Sequence, residues 1–96
     1  MTPEEAKLVD KFMGEDYSCS FDEYTNYNDW NNLMQVVEKI QKLQANVIIS
    51  RNYCKINTWY EGFNAESFSE NSTLEAVQFL IIEYIKWNNQ QINKND

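Results

Sequence analysis

The chain has no histidine. That removes the commonest general base near neutral pH, the usual nucleophile–histidine–acid triad and every zinc site with an imidazole ligand. The two cysteines, Cys19 and Cys54, are too few for an all-cysteine zinc site, which needs four. They are expected as free thiols in a reducing compartment, with Cys54 a small buried residue in a strand. Two glycines, Gly14 and Gly62, cannot build a glycine-rich phosphate loop. No apolar run approaches the roughly 18 residues of a membrane span. The opening Met1-Thr2-Pro3-Glu4-Glu5 lacks a signal peptide's basic start and apolar stretch, so the cytoplasm is the expected compartment.

Positive charge is also scarce. Fifteen acidic residues face eight basic ones, for a net charge of −7, and Arg51 is the only arginine. Such a chain repels nucleic acid and anionic lipid, so direct binding to either is not expected. The excess sits at the front. Residues 1–29 carry Glu4, Glu5, Asp10, Glu15, Asp16, Asp22, Glu23 and Asp29 against Lys7 and Lys11, whereas residues 30–96 are nearly balanced. The neighbouring carboxylates Glu4/Glu5, Glu15/Asp16 and Asp22/Glu23 read as caps and solvated turns rather than acid–base pairs. Asp22, Glu23 and Asp29 lack the spacing of a calcium loop. No catalytic residue, metal ligand or cofactor is expected, and the chain does not read as an enzyme.

What is present suits one small folded domain over residues 1–96. Apolar residues make up 43% and aromatics 15%, too rich for disorder. Thirteen asparagines belong on surfaces, caps and turns rather than in a core. The first helix is expected over 3–13, within an N-terminal unit 1–14. Thr2 caps it, Pro3 fits its first position, Glu5 completes a capping box and Gly14 ends it. Its stripe, Leu8, Val9, Phe12 and Met13, is narrow. Residues 15–27 are acidic and aromatic and read as a short edge strand or an ordered loop. A second helix is expected over 29–44, capped by Asn28 or Asp29. Trp30, Leu33, Met34, Val36, Val37, Ile40 and Leu43 form its apolar half, and Glu38 and Lys42 are an i,i+4 pair.

Residues 46–59 read as two paired strands. Val47-Ile48-Ile49 is β-branched, Ser50-Arg51-Asn52 turns, and Cys54, Ile56 and Thr58 alternate with Tyr53, Lys55, Asn57 and Trp59. A loop follows over 60–71, with a short strand around Phe63 to Phe68 as an option. A third helix is expected over 73–90, opened by the capping box Ser72-Thr73-Leu74-Glu75. Leu74, Ala76, Val77, Leu80, Ile81, Tyr84, Ile85 and Trp87 cover one broad half. Phe79 and Ile82 lie opposite and call for cover by the first helix or another subunit. Residues 91–96 read as a polar tail. The expected class is α+β: a small antiparallel sheet packed between or against two to three helices.

The run Tyr27 to Ile40, centred on Val36-Val37-Glu38-Lys39-Ile40, resembles small uncharacterised proteins of bacteriophages and prophages of gut bacteria, of the "ABA sandwich" type. Further blocks carry the likeness: Tyr53-Cys54-Lys55-Ile56, the capped helix from Ser72 to Val77 that closes near Ile85-Lys86-Trp87, and Leu8 to Gly14. The resemblance implies a layered α/β/α sandwich and a mobile-element origin. It brings no catalytic residues. It implies the accessory or counter-defence roles common among small phage proteins.

Three readings of function follow. The first is a non-catalytic phage-type protein that binds a host protein in the host cytoplasm as a homo-oligomer, with Phe79 and Ile82 joining the subunits. The second is a sequestering protein for a small nucleotide immune signal, held by Arg51 with Tyr53, Trp59 and Tyr60, since arginine beside aromatic rings suits a phosphate and a base. The third is an acidic mimic of nucleic acid, motivated by the charge of residues 1–29. Trp30 and Trp87 match helix positions facing the sheet.

Overall fold

The computed structural model describes residues 1–14, 25–58 and 62–94, with side chains as far as Gln91. The order of elements is α1 (Pro3–Phe12), α2 (Trp30–Lys42), β1 (Ala45–Ser50), β2 (Tyr53–Thr58), β3 (Asn64–Phe68) and α3 (Thr73–Lys94). The strands form one antiparallel sheet in the order β1-β2-β3. This is the expected α+β class. The expected strand or loop at 15–27 falls mostly outside the described residues.

Local chemistry sets each boundary. At α1, Thr2 Oγ1 accepts from the Glu5 amide at 3.2 Å and Glu5 Oε1 accepts from the Thr2 amide at 2.9 Å, completing the capping box. That second bond holds the Glu5 carboxyl below its ordinary pKa. Gly14 takes φ +89°, a left-handed value that suits glycine just past a helix end. Asp29 caps α2 by accepting from the Asn31 amide at 2.8 Å. Ser72 accepts from the Glu75 amide at 3.1 Å at the start of α3. The return half of that box is replaced: Glu75 accepts from Asn71 instead, and the Ser72 amide turns to Ser69 Oγ.

The register sorts the strand residues into two faces. Ala45, Val47, Ile49, Cys54, Ile56, Thr58, Ala65 and Ser67 share the inner face, on which α2 and α3 pack. β3 offers only small side chains there, Ala65 and Ser67, and Phe63 just before it is buried. Helix α1 packs against α3, and its C-terminal end meets α2: Lys39 Nζ donates to the Phe12 carbonyl and lies 4.8 Å from the centre of the Phe12 ring. The Cα trace spans 38 × 36 × 18 Å. That smallest dimension fits one sheet and one helix layer, each pair of layers being about 10 Å apart.

Of the two covers expected for the far side of α3, the first helix or another subunit, Ile82 has the first: it is only 3% exposed and joins the core cluster, because α1 covers that side. Two placements differ from the sequence expectation. Trp30, expected to face the sheet, is 40% exposed: the buried stripe of α2 is narrower, consisting of Leu33, Val36, Val37 and Ile40. The sandwich is one-sided, since all helix packing among the described residues falls on the inner face of the sheet.

Two buried polar groups tie the helices together. Asp10 is fully buried in α1 and accepts from the Tyr27 hydroxyl and, at 2.9 Å, from the Thr25 amide. Gln78 is buried in α3, and its amide donates to the Tyr27 carbonyl and to Asn28 Oδ1, both at 2.8 Å. The segment leading into α2 is thus clasped from both neighbouring helices. No buried side-chain nitrogen or oxygen among the described residues lacks a partner.

Three outcomes follow. Tyr27→Phe withdraws a donor from buried Asp10 and is expected to cost about 1–3 kcal/mol in denaturant titration. Gly62→Ala sets a methyl 2.7 Å from Thr58 Oγ1 and 2.9 Å from Trp87 Cζ2. It is expected to cost about 1–3 kcal/mol in the same assay, as overpacked sites do. Burial pushes the Cys54 thiol up to about 11. Mass mapping after iodoacetamide treatment at pH 8 is therefore expected to find Cys54 unmodified in the native protein and alkylated in denaturant.

Candidate functional site

The outer face of the sheet is an organised surface that no described helix covers. Its residues form three transverse rows. Ser50, Tyr53 and Phe68 lie nearest the β1–β2 turn, then Ile48, Lys55 and Glu66, then Asn46, Asn57 and Asn64. Phe68 is 72% exposed and Ile48 50%. The Tyr53 and Phe68 rings meet with centroids 4.8 Å apart, tilted at 53°. The Tyr53 hydroxyl donates to Glu66 Oε2 at 2.8 Å, and this bond raises the phenol above its ordinary pKa. The aromatic pair is therefore held in place while most of the Phe68 surface meets solvent.

The turn beside this pair is fixed from behind. Asn52 adopts φ +55°, which asparagine tolerates better than most residues. Its amide donates to Thr73 Oγ1 at 2.9 Å, and its carbonyl accepts from the Ser69 amide at 3.1 Å. The start of α3 thus anchors the hairpin tip, from which Arg51 stands exposed.

The proposed nucleotide quartet is not assembled among the described residues. Arg51 and Tyr53 stand at one end of β2. Trp59 and Tyr60 follow Thr58 at the other end and lie outside the described residues. Five residue steps separate Tyr53 from Thr58, about 17 Å at the usual strand rise. Of the proposed subunit contact, Phe79 is 58% exposed and Ile82 is buried. Phe79 stands between two grooves. One, of about 420 Å³, is lined by Met1, Glu5, Leu74 and Gln78, and the other, of about 520 Å³, by Phe63, Ala65, Glu83 and Trp87.

A third groove, of about 620 Å³, lies where Leu8, Lys11 and Phe12 meet Lys39 and Leu43. All its lysines lie in the last turns of α1 and α2, where they offset the negative helix ends. No group of three acidic or cysteine side chains among the described residues comes together as a metal site. None of their helices is long and apolar enough to cross a membrane.

Sequence reasoning missed Phe68 as a site residue. The signal was its position: in Asn64-Ala65-Glu66-Ser67-Phe68 the inward residues are small and the large ring points out, the reverse of an ordinary half-buried strand. It also missed buried Asp10 and Gln78. Asp10 lies four residues after Ala6, and Gln78 lies four from both Leu74 and Ile82, so each belongs to an apolar stripe.

No family model matches the chain, and neither the curated proteins nor the solved structures give a match.

The Tyr53–Glu66 bond makes the site's rigidity testable. Tyr53→Phe keeps the ring contact and removes a bond that is exposed to solvent. It is expected to change stability by less than about 0.5 kcal/mol, as surface substitutions do, so a binding defect in this variant would report on the hydroxyl itself.

Proposed function

We propose that the protein is a non-catalytic interaction module that binds a host protein through the open face of its sheet. The supporting observation is the aromatic pair Tyr53–Phe68, with Ile48 one row away, on a face that no described helix covers. A fixed aromatic contact of this kind loses little side-chain entropy on binding, and tyrosine is among the residues enriched at binding hot spots. Lys55 and Glu66 in the next row add charges of both signs beside the rings, which suits a protein surface better than a polyanion.

The narrower role is that of a phage-type accessory or counter-defence protein working in the host cytoplasm as a homo-oligomer. Its phage character rests on the sequence resemblance. The nucleotide-sequestering reading draws no support from β2, which separates Arg51 from Thr58 along its full length. The acidic-mimic reading loses Asp10, which is buried and engaged inside the fold.

The test is a quantitative pull-down from host lysate. The wild-type chain is expected to enrich a discrete protein that Phe68→Asp fails to retain and Asn46→Asp retains. Equal recovery by the wild type and Phe68→Asp would remove the outer face as the binding surface.

A further inference from the structure

The two edges of the sheet differ. The Thr58 amide donates to the Phe63 carbonyl at 2.9 Å, so the even-numbered residues of β2 bond towards β3. Its odd-numbered residues Tyr53, Lys55 and Asn57 therefore bond towards β1, opposite Ser50, Ile48 and Asn46. That leaves the backbone groups of Ala45, Val47 and Ile49 pointing away from the sheet, and no strand among the described residues pairs with them. This edge is β-branched, and no charged residue lies between Lys42 and Arg51. Val47 and Ile49 remain only half-buried although they face the helices, and Ile48 is half-exposed on the other face.

We infer that β1 pairs antiparallel with β1 of a second copy of this chain, about a two-fold axis at Ile48, joining the two sheets into one. Side chains directly opposite in an antiparallel pair share a face, so odd residues must meet odd ones. With the axis at Ile48, Val47 exchanges backbone hydrogen bonds with the second copy's Ile49, and Ile48 sits against its own equivalent in a non-hydrogen-bonded pair. The β-branched residues of both faces are then covered by their counterparts, the cross-strand contact such side chains favour. Asn46 meets Ser50, and no two like charges face each other.

Self-complementarity points to the second copy as occupant, and charge permits it. Two copies of a chain of net charge −7 repel each other overall. β1 is an uncharged stretch flanked by Lys42 and Arg51, so two copies can approach here without opposing acids. This deepens the oligomer part of the proposed function by giving it a contact. It is separable from binding at Phe68 through Val47, whose outward backbone groups serve the edge and whose side chain lies on the inner face.

Light scattering over a concentration series on the full chain tests the pairing. The expected mass at the upper end is twice the 11.5 kDa of one chain. Ile48→Cys in a Cys19→Ser background is expected to give a covalent dimer under mild oxidation, because Cα atoms of a non-hydrogen-bonded pair lie about 4.5 Å apart, within disulfide reach. Val47→Pro removes an outward amide that β2 does not use, and Ile48→Lys sets two ammonium groups face to face. Both are expected to be folded monomers, and Val47→Pro, whose side chain faces the helices and not the outer face, is expected still to bind whatever partner depends on Phe68. A monomeric wild type at the highest soluble concentration overturns the inference. So does a dimer that persists in both Val47→Pro and Ile48→Lys, or a folded Ile48→Cys dimer that fails to cross-link. Loss of the Phe68-dependent partner with the dimer intact would bear on the outer face alone.

Discussion

Everything in this fold leans on α3. Between Ala76 and Ile85 only Phe79 is exposed and Glu83 partly so, and the other residues of the run are buried. A helix buried over so much of its circumference needs neighbours on several sides, and it meets the sheet, α2 and α1. Each contact brings its own constraint. Against the sheet, Tyr84 stacks on Phe63 with centroids 5.6 Å apart, and Trp87 closes over Gly62. Against the other helices, the polar atoms of Gln78 and of Asp10 in α1 must find partners, and both find them at the segment around Tyr27. The same residues that fill the core therefore fix the path of the chain into α2.

The consequence, among the described residues, is a sheet with one face used and one left over. Their three helices lie on the inner side, and a thickness of 18 Å fits one sheet and one helix layer. Small domains bury a smaller share of their surface than large ones, so some organised apolar area remains outside. Here that area is arranged rather than scattered. Ala65 and Ser67 admit α3 close to β3, and Phe68 correspondingly turns to the outside, where the ring of Tyr53 supports it. An exposed ring held by a neighbouring ring and a hydrogen-bonded phenol has less freedom to lose on binding than a solitary one.

Much of this is legible in the residues themselves. Thr2-x-x-Glu5, Asp29 and Ser72 mark helix starts through chemistry that lies within three residues, and all three hold. The alternation from Tyr53 to Thr58 gives both faces of β2 because a strand has a period of two. What escaped is what depends on partners far along the chain. Ile82 and Phe79 look alike on the wheel of α3, and only the position of α1 decides that one is covered and the other open. Asp10 and Gln78 look like surface residues until Tyr27, 17 and 51 positions away, is brought to them.

The asymmetry of the sheet edges limits what assembly can follow. Natural edges are commonly protected by charge, and β3 has such a device. Its outward backbone groups belong to Asn64, Glu66 and Phe68, with Glu66 at the centre, so pairing two β3 strands in full overlap sets two carboxylates opposite each other. β1 has no charge of its own. A sheet with one permissive edge closes when that edge meets itself, because a two-fold contact uses the same patch on both subunits and leaves none to repeat. Two permissive edges would instead add strands without limit. The net charge of −7 reinforces that closure, since further copies meet overall repulsion.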